Sequence, residues 1–266
     1  MSERLLVLDI GNTQTVLGLY EGARLAQHWR VTTHAARTAD EFRIVLKGLL
    51  REGEVDLRDI AAVALSSVVP QVTRNFAQAF AGKPLLEVSC RIAFGFEIAV
   101  PLPEQVGADR LVNAEAALLK YGAPAIVVDS GTATTWCAID GRRRYLGGAI
   151  APGISISTEA LFARASRLAG VDLRRPERVI GNTTETALQS GIVNGYVALL
   201  DGMVARMREE LGEKDVRVVG TGGWMELLGP ASREIQHVDS HLTLDGLYCL
   251  WRRSVGRPVE PGELGT

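Results

Sequence analysis

Two short stretches of this chain combine an acid, a glycine and several polar residues in a pattern suited to holding phosphate. The first, Asp9-Ile10-Gly11-Asn12-Thr13-Gln14-Thr15-Val16, follows the apolar run 5–8. A strand closed by Asp puts a carboxylate at the edge of a sheet, where it can organise a hydrated divalent cation. Gly11 lets the backbone approach an anion, and Asn12 and Thr13 add side-chain and amide donors. Alone, this stretch also reads as a turn that uses Gly and Asn for their tolerance of positive φ. The second, Asp129-Ser130-Gly131-Thr132-Ala133-Thr134-Thr135, follows the apolar run 125–128. Ser130, Thr132, Thr134 and Thr135 put four hydroxyls into six residues, which is costly beside an apolar run unless they find partners. Two such turns suit two jaws on opposite sides of one phosphate chain. A third stretch, Gly220-Thr221-Gly222-Gly223, follows the strand-like run 216–219. Its bare backbone suits a flat ring such as adenine, and a plain strand-to-helix turn also accounts for it.

The elements that must position these turns repeat. Asp9 pairs with Asp129, Gly11 with Gly131 and Thr15 with Thr135, all at a shift of 120. Each turn leads through an apolar stretch (16–20, 136–139) into Glu21-Gly22 or Asp140-Gly141, which have the composition of hairpin turns. Return strands follow at 23–29 and 142–148, and further strand-like runs lie at 60–65, 85–88 and 216–219. Helical periodicity or composition marks 39–51, 111–120, 152–169, 183–211 and 242–252. The expectation is an α/β fold of two duplicated domains, each a mixed β-sheet flanked by helices. The halves should span 1–121 and 122–266, with a loose Gly/Pro-rich tail from about 258.

Bulk properties narrow the partners. The chain has 266 residues, 47% hydrophobic and 23% charged, and a formal net charge of -2. That balance gives no electrostatic reason to expect nucleic acid or an anionic membrane. Cys90, Cys137 and Cys249 are odd in number, widely spaced and set in apolar runs, as thiols in a reducing compartment are. The apolar run at the N-terminus is broken by Asp9, so it reads as neither signal peptide nor membrane span, and a cytoplasmic location is expected. His28, His34, His237 and His241 have no metal or triad neighbour at useful spacing, Arg142-Arg143-Arg144 reads as a solvated hairpin tip, and Trp224 reads as packing.

The three turns in this order resemble the phosphate-one, phosphate-two and adenosine motifs of the actin–hexokinase–Hsp70 superfamily. Further strings resemble one family within it, the type III pantothenate kinases. They are Asp9-Ile-Gly-Asn-Thr13, Ser66-Ser-Val-Val-Pro70, Gly107-Ala-Asp-Arg110, Asp129-Ser-Gly-Thr-Ala-Thr-Thr135, Gly147-Gly-Ala-Ile-Ala-Pro-Gly153, Gln189-Ser-Gly191, Thr221-Gly-Gly223 and Leu242-Thr-Leu-Asp-Gly246. The resemblance runs from about residue 4 to residue 252, with Gly107–Arg110 between the two phosphate turns as its most specific part.

From the residues alone, Asp109 reads as an N-cap and Arg110 as its salt-bridge neighbour. The resemblance implies another role: Asp109 is the general base that takes the proton from the primary hydroxyl of pantothenate as it attacks the γ-phosphate of ATP. Gly107, Ala108 and Arg110 would hold the acceptor's polar groups, as would Thr184. Residues 9–16 would hold ATP phosphates, with Asp9 acting on Mg²⁺ through water. Gly131, Thr132 and Thr134 would hold phosphate from the other side, Gly222 and Gly223 the adenosine, and Asp129 a monovalent cation, K⁺ or NH₄⁺. The resemblance further implies a homodimer whose second subunit completes the acceptor pocket, with the helix at 183–211 as candidate interface. The sequence departs from the pattern at Val100, where many members have Tyr against the substrate, and at Ala169-Gly170, which replaces Leu-Pro. Cys137 matches some members only. Other acceptors on the same scaffold are sugars, acetate-like acids or polyphosphate. A non-catalytic regulator is a further reading, since accessory factors for transcription resemble this family.

Overall fold

A computed structural model describes residues 3–164, 170–260 and 262–264 of the chain. Two compact units emerge: residues 1–120 with 242–266, and residues 121–241. The C-terminal segment groups with the first unit, not with residues 121–241 as the expected halves had it. The reason is helix α7 below.

The first unit contains β1 (Arg4–Ile10), β2 (Gln14–Glu21), β3 (Arg24–Thr32), α1 (Ala39–Glu52), β4 (Ile60–Ser67), α2 (Pro70–Ala79), β5 (Leu85–Glu87), the short β6 (Glu97–Ile98) and α3 (Ala108–Lys120). Its sheet runs β3-β2-β1-β4-β5. β1, β2 and β3 form an antiparallel meander, whereas β4 lies parallel to both β1 and β5. The unbroken apolar run of β1 has a direct cause. Leu6, Leu8 and Ile10 enter one core with Phe42, Leu46 and Phe76 of α1 and α2, while Leu5 and Val7 enter a second on the other side. A strand covered on both faces has no polar positions to alternate. α1 is set by a reciprocal cap in which Thr38 and Glu41 bond each other's backbone N–H. The expectation omitted α2, whose start is signalled by Pro70 at its first turn.

The second unit contains β7 (Ala125–Ser130), β8 (Ala133–Ile139), β9 (Arg144–Pro152), α4 (Ile154–Arg164), α5 (Thr184–Leu211), β10 (Arg217–Thr221), the short α6 (Met225–Leu228) and β11 (His237–Val238). Its strands lie side by side in the order β11-β10-β7-β8-β9. β7, β8 and β9 again form an antiparallel meander, and β10 is parallel to β7 and β11. The two units therefore share one topology, as the internal repeat predicted. The helix expected at 152–169 is seen to Arg164; residues 165–169 lie outside the described residues. The arginine triplet belongs to a turn held by Asp140, which accepts from the backbone N–H groups of Arg142 and Arg144 and pairs with the Arg144 guanidinium.

α7 (Leu242–Ser254) closes the chain onto the first unit. It lies against α3 so closely that a methyl group on Gly246 would overlap the carbonyl oxygen of Val112. Along this contact every buried polar side chain of α3 is answered. Thr243 donates to Asn113 at 2.7 Å, Arg253 pairs with Glu115 at 2.6 Å, and Asp245 pairs with Lys120 at 2.6 Å while accepting from the Tyr20 hydroxyl. Val259 and Leu264 are buried in the same core, so the segment expected to be loose is docked through these two side chains. Removing one member of a buried pair strands the other's charge, at about 3–5 kcal/mol. Asp245→Ala should destabilise the first unit by about that amount, measured by urea unfolding, and a change below about 1 kcal/mol would show that the pair does not hold α3.

Candidate active site

In the first unit, the β1–β2 turn is closed by Gly11 N–H donating to the Gln14 carbonyl at 3.0 Å. Asn12, Thr13 and Gln14 are exposed on its rim, while Ile10 and Thr15 are buried and Val16 is half-buried. Of residues 9–16, then, Ile10, Thr15 and Val16 turn their side chains inward and can serve a ligand only through backbone. Thr15 is bonded to Thr33 hydroxyl to hydroxyl at 2.8 Å. Asp9 lies in register with Ser66 of the parallel strand β4, and the Ser66 hydroxyl donates to Asp9 Oδ1 at 2.7 Å. Ser66 is fully buried, so its hydroxyl is not lost to water and the bond orients the half-buried Asp9 carboxylate. Nothing local in the sequence marks Ser66 for this role, because only the parallel register brings it to Asp9.

Asp109 sits one residue inside α3 rather than capping it, since the helix starts at Ala108. Gly107 ends the preceding loop, and its carbonyl accepts from the N–H groups of Arg110 and Leu111. The Asp109 side chain is half-buried. Burial pushes its carboxyl above the ordinary Asp range, opposed by the Arg110 backbone N–H that it accepts and by the Arg110 charge. Arg110 is half-buried beside it, and Val100 lies half-buried in the loop after β6.

In the second unit, the β7–β8 turn is one residue shorter than its counterpart. Asp9 faces Val16 and Ile10 faces Thr15, whereas Asp129 faces Thr135 and Ser130 faces Thr134. Thr134, not Thr135, is thus the structural equivalent of Thr15, a slip that fixed-shift matching could not see. Asp129 lies in register with Thr221 of the parallel strand β10, as Asp9 does with Ser66. The Gly222–Gly223 turn crosses close above it. Gly222 has φ +94° and leaves no room for a side chain, since a methyl there would overlap Asp129 Oδ1 and the Ser130 backbone. Trp224 N–H bonds the Ser130 carbonyl at 3.2 Å, and its indole donates to Ser155 at 2.9 Å, which ties that ring into the packing. Gly153, just before α4, donates to the Thr132 carbonyl at 3.1 Å.

The four hydroxyls of this turn divide. Thr132 is exposed. Ser130 and Thr134 are fully buried, face each other across the ladder, and have no hydrogen-bond partner among the described residues for either hydroxyl oxygen. An unmet buried hydroxyl costs about 1–3 kcal/mol, so two side by side mark a place where the protein alone does not complete the hydrogen bonding. Beside Asp129 the donor set is carboxylate, hydroxyl and backbone carbonyl, oxygen chemistry that suits a hard cation. Among the described residues no group of three or more His, Cys, Asp or Glu side chains is placed to bind a metal directly. Carboxylates acting through water need no such cluster. Thr184 is exposed at the start of α5, next to the cap formed by Thr183 and Thr186. No helix among the described residues is long and apolar enough to cross a membrane.

Comparison with known proteins converges on one family. The type III pantothenate kinase profile matches residues 5–206. A type III pantothenate kinase of Anaeromyxobacter sp. (strain Fw109-5) is 48% identical over 94% of this chain and 99% of its own length. One from Exiguobacterium sibiricum is 45% identical, with the same coverage. Among solved structures, a Campylobacter jejuni protein described as a Baf family transcriptional activator superposes with a TM-score of 0.60. At 19% identity over 94% of this chain and 99% of that one, it shows the shared fold alone. With its actin-like α/β units and a profile match across most of its length, the chain belongs to the type III pantothenate kinase family.

Proposed function

We propose that the chain transfers phosphate from ATP to pantothenate, giving 4'-phosphopantothenate in the first step of coenzyme A biosynthesis. The observation that carries this reading is family membership with Asp9, Asp109 and Asp129 all in place at strand ends or a helix start. A kinase using ATP works with a divalent cation, and Mg²⁺ is the one assigned here. It neutralises charge on the phosphates, and Asp9, its carboxylate steadied by Ser66, would hold it through water. The β1–β2 turn offers phosphate its exposed Asn12, Thr13 and Gln14 and the backbone around Gly11. In the second unit Gly131 and Thr132, with the buried hydroxyl of Thr134, serve phosphate, Gly222 and Gly223 serve the adenosine, and Asp129 serves a monovalent cation, K⁺ or NH₄⁺.

Asp109 is assigned as general base. Its raised pKa brings it nearer the operating pH, where a base combines adequate basicity with the deprotonated form. Arg110 and the backbone of Gly107 and Ala108 would hold the acceptor, since a guanidinium fork matches a carboxylate. Thr184 and Val100 are assigned to the same acceptor, Val100 supplying apolar contact. A homodimer is assigned to the groove between α4 and α5, about 330 Å³ and lined by Ser157, Leu161, Gly191, Gly195, Tyr196 and Leu199. Its second subunit would complete the acceptor pocket. The cytoplasm, with its reducing conditions, is the assigned location.

The direct test is ATP-dependent phosphorylation of pantothenate, with sugars and acetate as control acceptors and with K⁺ present or absent. Turnover of pantothenate alone is expected; none at millimolar substrate would sink the reading. Asp109→Asn should lower kcat by about 10²–10⁴ while ATP affinity holds. It should not cost folding stability, because it removes a partly desolvated charge. Only the deprotonated carboxyl accepts a proton, so the wild-type rate falls as pH drops through the Asp109 pKa. The upward shift puts that fall at higher pH than for an ordinary aspartate, and an acid limb that survives in Asp109→Asn would belong to another group. Thr134→Val should leave ligand-free thermal stability unchanged or higher, because it deletes an unmet hydroxyl, and should raise the KM for ATP. Loss of stability with an unchanged KM would make that hydroxyl purely structural.

A further inference from the structure

A second cavity lies in the first unit, built from residues outside the candidate active site. It measures about 480 Å³ and is formed by α1, the loop after it and the segment following α2. That volume is in the range of small-molecule sites. Its floor is apolar, with Val55, Leu57, Ala79 and Phe80, and its rim carries Arg43, Lys47, Arg51, Arg58 and Lys83. Asp56 is the one acid among the lining residues. Both Asp56 oxygens are already engaged by the Arg58 guanidinium, at 3.1 and 3.3 Å. Arg43 pairs with Asp40, and Lys83 donates to the Ile60 carbonyl. Lys47 and Arg51 make no ion pair within 4.0 Å among the described residues, and the Lys47 charge acts on Asp56 only at longer range.

Arg43, Lys47 and Arg51 follow one another at four-residue spacing, so they share a face of α1 and span about 12 Å along it. Like charges at this spacing repel and weaken a helix. A solvated surface offers no reason to gather them around a concavity, whereas an anion entering it would relieve the repulsion and gain charge-assisted bonds. A single phosphate can bridge two neighbouring cations of the row; its length matches a chain of phosphates.

We propose that this cavity is a binding site for an anion of at least two linked phosphates, separate from the nucleotide site and held along the row Arg43, Lys47 and Arg51, with the last two contributing most. Exposed charge pairs are screened by salt, so the affinity depends on ionic strength.

The test is calorimetric titration of inorganic pyrophosphate, without divalent cations, into wild-type protein and into the double variant Lys47→Glu with Arg51→Glu. Circular dichroism checks that the variant folds, and Arg58→Gln provides a milder second variant. The wild type is expected to bind one equivalent more than the double variant, with affinity falling as salt rises. Arg58→Gln should weaken that equivalent severalfold, and orthophosphate should bind at least tenfold more weakly than pyrophosphate. The KM for ATP should be the same in all three proteins, which separates this site from the nucleotide site. Equal stoichiometry and affinity in wild type and double variant would overturn the proposal. So would an absence of binding at low salt, or an affinity for orthophosphate equal to that for pyrophosphate.

Discussion

The contact between α3 and α7 is the constraint on which the first unit depends. α3 is buried from Leu111 to Leu118 and carries Asn113 and Glu115 into that environment, with Lys120 at its end. Burying such groups unpaired would cost several kcal/mol each, and α7 answers them with Thr243, Arg253 and Asp245. Because one carbonyl of α3 touches Gly246, the helices cannot slide without either a clash or a stranded charge. The position of Asp109 at the start of α3 is inherited from this lock at its other end. A catalytic group on a rigid helix is placed more accurately than one on a loop.

The two units show how one topology is turned to unequal tasks. In both, the first strand ends in Asp, and a hydroxyl residue stands beside it on the neighbouring parallel strand. In the first unit that hydroxyl, Ser66, is spent on orienting Asp9, and Thr15 is satisfied by Thr33. In the second unit the turn is a residue shorter, Gly222 presses against Asp129, and the equivalent of Thr15, together with Ser130, has no partner among the described residues. Well-satisfied polar groups make the first turn a stable platform. The unmet ones in the second lower its stability by an amount that a bound group can return, the usual mark of a site kept for function.

Much of this was legible in the residues. The apolar run closed by Asp, the Gly turn, the hairpin and the return strand, repeated at a shift of 120, predicted two mixed sheets, because strand periodicity and turn chemistry are local properties. Gly107–Arg110 marked the start of a helix for the same reason. The string Leu242–Gly246 was visible too, but its meaning was not: the partners of Thr243 and Asp245 lie 130 and 125 residues earlier. Neither the helix that starts at Pro70 nor the burial of Val259 and Leu264 in the Gly/Pro-rich tail is legible in this local way.

By itself, then, the sequence determined the elements, the duplication and the candidate acids, since each follows from periodicity and from residue chemistry within a few neighbours. Only the tertiary structure decided that α7 belongs to the first unit, that Ser66 serves Asp9, that Thr134 rather than Thr135 matches Thr15, and that burial raises the pKa of Asp109. Each of these depends on strand register, on desolvation or on partners far apart in the chain, and none of those quantities exists until the chain has packed.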